Sequence, residues 1–293
     1  MILNVSGRCD ISFYTTWFKN RLKEGFVDVR NPFFPKMVSR IFFEDVDLFF
    51  FCSKNPAPLI EIVKTIEKPV IFHITITPYN KEIENIKDKR VVIESVKELS
   101  KLIGTENVVV RYDPIFVSKR YTIDYHIKAF KRLCSLLKGY VKTIIISFLD
   151  EYQNVKRNNK ALGYKQLTKD DLKKIGINFS KIAKENDMTV QTCFEKENLT
   201  EYGFIKGDCL SKELAFKLTG KKYPKWKARK GNLCSCVQMT DIGAYNMCKH
   251  LCKYCYANFD EKKVEENVKM HDPNSSLIMG SLSPDDQIIV KHK

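Results

Sequence analysis

The sequence predicts an α/β fold: a TIM-like parallel β/α barrel, complete or partial, that ends in a cysteine-rich segment. Three observations carry this. Strand-length apolar runs alternate with helical stretches through the first two-thirds of the chain. Most of those runs are continuous rather than alternating, as strands covered on both faces are. Repeated βα units suit a barrel or a doubly wound sheet. Five of the strands end in polar clusters, and since all such ends open onto one face of a parallel barrel, the barrel is favoured. The 293 residues suffice for one large domain or two small ones. A content of 44% hydrophobic and 29% charged residues excludes global disorder.

Taken in order, the first strand is expected at Ile2–Ser6 and the first helix at Phe13–Glu24. Strands follow at Phe26–Val29 and Asp47–Cys52, then a helix at Ala57–Ile66. Val70–Thr77, Val108–Arg111, Thr143–Phe148 and Thr189–Cys193 complete the strands of this region, with helices at Arg90–Ile103, Asp124–Leu137 and Thr168–Glu185 between them. Thr168 suits the N-cap of the last helix, and Asp170 and Asp171 put negative charge in its first turn, where the helix dipole favours it. His73 alternates with apolar neighbours and reads as a core residue. After about Asn198, glycines interrupt the pattern, aromatic and basic residues mix, and cysteines gather. The expected division is a β/α core over residues 1–197 and a segment over 198–293 organised by metal. A final strand is expected at Leu277–Met279, behind a turn formed by Asp272, Pro273, Asn274 and Ser275.

The five strand ends are Ser6-Gly7-Arg8-Cys9-Asp10, Cys52-Ser53-Lys54-Asn55-Pro56, Thr75-Ile76-Thr77-Pro78-Tyr79, Arg111-Tyr112-Asp113-Pro114 and Ser147-Phe148-Leu149-Asp150. Each alone is explained by turn formation; five together point to one convergent pocket. Asp113 and Asp150 are catalytic candidates, able to accept a substrate proton, with turn capping as the alternative. Arg8 is a candidate for an anionic substrate, with pairing to Asp10 or Asp113 as the alternative.

The chain has 50 Lys+Arg against 35 Asp+Glu, a net charge of +15. A nucleic-acid or phosphate partner would use this charge, and so would plain solubility. The concentrated basic run with aromatics is Lys217–Lys230. No apolar run approaches the ~20 residues of a membrane helix, and no basic start followed by an apolar stretch marks a leader. The expected location is cytoplasmic.

Ten cysteines without an export signal indicate metal binding or redox chemistry rather than a disulfide framework. Cys9, Cys52 and Cys134 read as core residues. Cys248, Cys252 and Cys255 are separated by three and then two residues, so one loop can wrap a single cluster without long-range closure cost. Three thiolates on a [4Fe–4S] cluster leave one iron open to an outside ligand. The alternative is a zinc knuckle that borrows His250 or Cys236, although His250 itself reads as part of a solvated loop. Cys193, Cys209, Cys234 and Cys236 make a full set for an auxiliary [4Fe–4S] cluster or a zinc site. Against that, Cys193 and Cys209 could be small buried residues.

The Cys248-Lys-His-Leu-Cys252-Lys-Tyr-Cys255 loop resembles the radical S-adenosylmethionine (SAM) signature. The resemblance implies that SAM chelates the open iron and that a low-potential flavodoxin or ferredoxin supplies an electron. Reductive cleavage would then give methionine and a 5′-deoxyadenosyl radical that abstracts hydrogen from a substrate. It also implies that Tyr254 packs beside the adenine. From Asp241 to Asn258 the chain is similar to the cluster loop of the spore photoproduct lyase-like branch. The chain as a whole resembles the bacterial family called domain of unknown function 1848. That likeness rests on Asn4–Arg8 with Asp10, Ser53–Pro58, Thr75–Tyr79, Arg111–Ile115, Ile146–Asp150, the cysteine loop and His271–Ser275. It implies a cofactor and not a reaction.

In radical SAM enzymes the cysteine loop follows the first barrel strand; here it follows every βα unit. A circular permutation reconciles the two, and places the segment before Cys248 beside Ile2–Ser6. By position at strand ends, Ser6, Gly7, Ser53, Lys54, Thr75 and Arg111 are the candidates to hold SAM. Lys54 and Arg111 suit its carboxylate, and the hydroxyls suit its ribose. The competing reading is a non-catalytic zinc or iron–sulfur protein that binds nucleic acid through Lys217–Lys230.

Overall fold

The computed structural model describes residues 1–86, 88–193, 195–226 and 235–291. Its strands are β1 (Ile2–Asn4), β2 (Phe26–Arg30), β3 (Met37–Phe42), β4 (Leu48–Ser53), β5 (Val70–Thr75), β6 (Val108–Ile115), β7 (Thr143–Phe148), β8 (Thr189–Thr192), β9 (Ile205–Lys206), β10 (Thr240–Asp241) and β11 (Gln287–Val290). Eight of them form one sheet in the order β10-β1-β4-β5-β6-β7-β8-β9, with every neighbouring pair parallel. Parallel neighbours need crossovers, and helices supply them. From β4 to β8 these are Ile60–Val63, Lys89–Ile103, Ile123–Leu137 and Lys169–Glu185. The sheet has two edges, β10 and β9, and among the described residues it does not close into a ring. The expected barrel is therefore an eight-stranded open parallel sheet here.

Both faces of the sheet are covered, which is why its strands read as continuous apolar runs. Leu3, Phe49, Phe51, Phe72, Val110, Tyr112 and Ile144 share one core with Trp17, Val96, Phe130 and Phe179 from the helices. The Phe130 and Phe179 rings stack with centroids 3.9 Å apart. The alternate residues Ile2, Leu48, Phe50 and Ile71 pack on Leu210, Ala215, Val237 and Met239. The segment after β9 thus lies on the second face, packed there through an apolar core. The helix Lys169–Glu185 starts as its sequence foretells: Thr168 and Asp171 form a reciprocal capping box, with the Asp171 N–H donating to Thr168 Oγ1 at 3.1 Å and the Thr168 N–H donating to Asp171 Oδ2 at 3.0 Å.

Two expectations are corrected. The Phe26–Val29 run is not a strand of the parallel sheet. β2 pairs antiparallel with β3, and β3 pairs parallel with β11, in a separate three-stranded sheet. Asp28 binds it to Arg40 through hydrogen bonds of 2.9 and 2.8 Å. Leu277–Met279 is not a strand; the last one is β11. Leu277 and Ile278 are apolar because they are buried, and the turn before them docks on the helix Thr15–Glu24. Trp17 Nε1 donates to Ser275 O at 2.8 Å, and Arg21 donates to Asn274 O at 3.1 Å.

The placement that matters most for function is β10. It lies beside β1, with Leu3 opposite Thr240 and Asn4 opposite Asp241. The strand that leads into the cysteine loop is thus the spatial neighbour of the N-terminal strand. No helix of the described residues is long and apolar enough to cross a membrane.

Candidate metal centres

The cysteine loop is irregular, so its backbone polar groups need partners from elsewhere. Asparagines provide several. Asn258 Nδ2 donates to Cys248 O at 2.6 Å, Asn154 Nδ2 to Cys255 O at 3.0 Å and Asn158 Nδ2 to Lys253 O at 2.9 Å. The 80s loop adds backbone bonds, Lys253 N to Ile83 O at 2.9 Å and Asn85 N to His250 O at 2.7 Å. Asn246 and Leu251 take positive φ, 54° and 50°; an asparagine adopts this readily, whereas a leucine there is held by its surroundings.

Two buried ionic groups pin the loop to the ends of β1 and β4. The first is Asp10, whose Oδ2 faces His250 Nε2 at 2.8 Å. Its carboxylate also accepts from Ser53 Oγ at 2.9 Å and from the backbone N–H groups of Lys54 and Ser12 at 2.8 and 3.0 Å. Burial opposes the charge on Asp10, but His250 and these N–H groups hold its pKa below the usual carboxylate value. His250 is therefore 3% exposed and not part of a solvated loop. The second is Glu84, 2% exposed, between Lys54 Nζ at 2.9 Å and Lys89 Nζ at 2.8 Å. Thr77 Oγ1 donates to it at 2.6 Å, and the Tyr254 hydroxyl donates to it as well. Burial opposes this charge too, yet the two ammonium groups hold Glu84 down to about 2.

The thiols of Cys248, Cys252 and Cys255 lie inside this frame. Cys252 and Tyr254 pack with Tyr79, Phe116, Tyr121 and Val155. Burial pushes all three thiols up, and the charges of the others add to the shift of Cys252. A thiolate here is costly until a cation shares its charge, so the donor set fits a metal group better than three free thiolates. Ser6 Oγ and Ser12 Oγ are buried without a hydrogen-bond partner. Unpaired hydroxyls at a strand end and beside Asp10 are what a polar ligand would satisfy. A groove of about 500 Å³ runs along the outside of the loop, lined by Cys252, Asn154, Arg157 and Phe259 among others.

A second group of cysteines forms on the other face of the sheet. The sulfurs of Cys193, Cys209 and Cys236 all lie within 4.8 Å of one another, close enough to hold a metal ion. Cys193 follows β8, while Cys209 and Cys236 come from the covering segment. Three of the four residues expected at an auxiliary site thus meet; Cys234 lies outside the described residues.

The remaining candidates are spread over the strand ends, several of them already engaged. Ser53 and Lys54 serve Asp10 and Glu84. Tyr254 is pinned through its hydroxyl, which Lys54 Nζ approaches at 2.9 Å. Arg111 donates to Asp113 at 2.8 Å and to Cys209 Sγ at 3.1 Å, so it faces the second cysteine group. Asp113 is accordingly the partner of Arg111. Thr75 ends β5, half-buried, and Asp150 is exposed, 3.3 Å from the Tyr152 hydroxyl. Arg8 pairs with neither Asp10 nor Asp113; it approaches Asp241 at 3.8 Å and donates to Gly243 O at 3.3 Å. His73 is fully buried as expected, and burial pushes its pKa down to about 3. Cys9 and Cys134 are core residues, whereas Cys52 is half-buried and packs beside Cys209.

Glu84, Lys89, Asp241 and Glu195 are additions that sequence reasoning missed. Burial lifts Asp241 to about 6 against the pull of Arg8. Burial also lifts Glu195 to about 7, aided by Asp150, Asp113 and Glu197, while Phe148 N donates to it at 2.7 Å. Both carboxyls therefore exchange protons near neutrality. Gly7 is required by Asp241: a Cβ at position 7 would sit 1.7 Å from Asp241 Oδ2 and 2.6 Å from Asn4 Nδ2. Gly7→Ala is expected to destabilise the fold by about 1–3 kcal/mol, as overpacking does. An unchanged urea midpoint would contradict the close approach.

No curated protein matches this chain. The model of one family, described as a domain of unknown function, DUF1848, matches residues 2–257, and with that span of fold and cysteine loop included the chain belongs to this family.

Proposed function

We propose that this chain is a radical SAM enzyme in which Cys248, Cys252 and Cys255 hold a [4Fe–4S] cluster. The observation that carries the reading is the position of the loop. Three thiols at this spacing, Cys252 buried and Cys248 and Cys255 half-buried, follow β10, and β10 adjoins β1 in a parallel sheet. That is the order in space expected of a circularly permuted SAM-binding sheet, and it supports a kinship with the spore photoproduct lyase-like branch. When bound, the cluster and SAM supply a reductively generated 5′-deoxyadenosyl radical able to take a hydrogen atom from an unreactive carbon. The chain's own residues do the rest. Asp10 with His250, and Glu84 with Lys54 and Tyr254, fix the loop on the sheet. Ser6 and Ser12 offer hydroxyls to a polar ligand. Burial lifts the carboxyls of Asp241 and Glu195 to about 6 and about 7, so each is a group able to hold or release a proton near neutrality. The electron donor on this reading is a flavodoxin or ferredoxin.

The nucleic-acid alternative draws less support. Tyr223 and Trp226, the aromatics of its basic run, pack against the core of the second face. Lys221 pairs with Asp47 at 2.5 Å. Bases stack on exposed rings, and Lys227–Lys230 (KARK) lies outside the described residues.

The test is mass-spectrometric detection of 5′-deoxyadenosine after anaerobic iron–sulfur reconstitution with SAM and dithionite. The wild-type chain is expected to form it, and Cys252→Ala is expected to form none and to bind less iron. Undiminished SAM cleavage by Cys252→Ala would sink the ligand assignment.

A further inference from the structure

We infer that Cys193, Cys209 and Cys236 bind a single zinc ion on the second face of the sheet, with Arg111 as the positioning residue of that site. The inference stands apart from the reading of the cysteine loop. Its first support is spacing. Zinc–thiolate bonds of about 2.3 Å in a tetrahedron put the sulfurs about 3.8 Å apart. The three sulfurs here all fall within 4.8 Å of one another, with Cys193 and Cys209 at 2.9 Å. In a [4Fe–4S] cubane each thiolate sits on its own iron at a separate corner, so the sulfurs stand further apart than around one ion. Among the described residues, Cys248, Cys252 and Cys255 do not form such a tight group. The two sets of cysteines are thus built at different spacings, and only the second is compact enough for one ion, which Cys193 and Cys209 would reach by parting from 2.9 Å.

The second support is what surrounds the sulfurs. Val109 and Ile145 pack against Cys193 and Cys209, giving the site an apolar wall. The Cys209 N–H donates to Cys236 Sγ at 3.2 Å, and Arg111 donates to Cys209 Sγ at 3.1 Å. Three thiolates around a divalent ion carry one excess negative charge, and the guanidinium, shared with Asp113, donates an N–H to that charge. Asp113 fixes that guanidinium by a 2.8 Å bond to Nε, leaving another N–H to face the sulfur. This is the outer-shell arrangement that orients and tunes a metal ligand. It also accounts for an arginine whose long side chain reaches Cys209.

The experiment uses the full chain carrying Cys248→Ser, Cys252→Ser and Cys255→Ser, so that iron held by the loop does not contribute. Zinc and iron per chain are counted by inductively coupled plasma mass spectrometry. Cobalt is then added to the chelator-stripped protein, and the visible spectrum is recorded. The expected result is about one zinc and no iron per chain, with the intense bands of a tetrahedral cobalt thiolate site. Adding Cys209→Ser should remove both. Arg111→Gln should weaken zinc about 10- to 100-fold in competition with a chelator, as loss of an outer-shell partner does, and Arg111→Lys should recover part of it. About four irons per chain in the triple-serine protein would overturn the inference in favour of a second cluster. So would a Cys193–Cys209 disulfide with no metal in anaerobically prepared protein, or zinc that Cys209→Ser leaves in place. If Cys209→Ser does not fold by circular dichroism, Cys193→Ser and the cobalt spectrum of the triple-serine protein decide the matter.

Discussion

Asp10→Ala is expected to cost about 3–5 kcal/mol of folding stability, the scale of leaving several buried hydrogen-bond donors without their acceptor. The reason is the number of groups that Asp10 satisfies at once. Without it, Ser53 Oγ, the N–H groups of Ser12 and Lys54, and His250 Nε2 all lose their acceptor inside the protein. His250 lies between Cys248 and Cys252, so the loss is felt where the thiols must be held. The variant should therefore show two linked defects, a lower urea midpoint and less iron per chain after reconstitution. Asp10→Asn keeps the shape and some acceptor capacity and should fall between the two. A variant that unfolds at the wild-type midpoint, or that is destabilised yet loads iron normally, would show that the Asp10–His250 contact does not anchor the loop.

Glu84→Gln is expected to be similarly severe and to change how stability depends on acid. Glu84 faces two ammonium groups, and Gln leaves both without a counter-charge. Burial pushes the Lys89 ammonium down while Glu84 pulls it up; the dominant feature is one carboxylate between two cations. Its folded pKa of about 2 lies below the ordinary value of 4.5. A depressed carboxyl stabilises the folded state fully above its unfolded pKa, and the gain drains away as pH falls toward the folded one. The gain here is about 3 kcal/mol, lost between about pH 4.5 and pH 2. Denaturation series across that window should show a steep acid limb in the wild type and a flatter one in Glu84→Gln. Parallel limbs would mean that Glu84 is not the group responsible.

The parallel sheet was legible because its strands, such as Leu48–Ser53 and Thr143–Phe148, are apolar on both faces. What covers the second face was not legible. Leu210, Ala215, Val237 and Met239 are too scattered to show a period, so the segment read as held by metal alone. β2 misled for the opposite reason: a short mixed run suits an edge hairpin as well as a central strand. The loop cysteines stood out by their spacing and the second group by its number, but what supports either did not show. Asp10 and His250 are 240 residues apart, and Tyr254 and Glu84 are 170 apart. No local pattern marks such pairs, so His250 read as solvated and Glu84 as an unremarked loop residue. Arg111 at a strand end was recognisable as a ligand-holding type; only the structure shows that it turns to Cys209.

The position of β10 beside β1 also sets an order of events during synthesis. The outer neighbour of β1 is translated more than two hundred residues after β1 itself. Until then the β1 edge offers unpaired N–H and C=O groups, the kind of edge that recruits other chains. The same late segment brings the thiols of residues 248–255, so edge protection and, on the proposed reading, cluster loading become possible at nearly the same moment. Nascent chains stalled before Thr240 should accordingly depend on chaperones in a way that chains released after Asn258 do not.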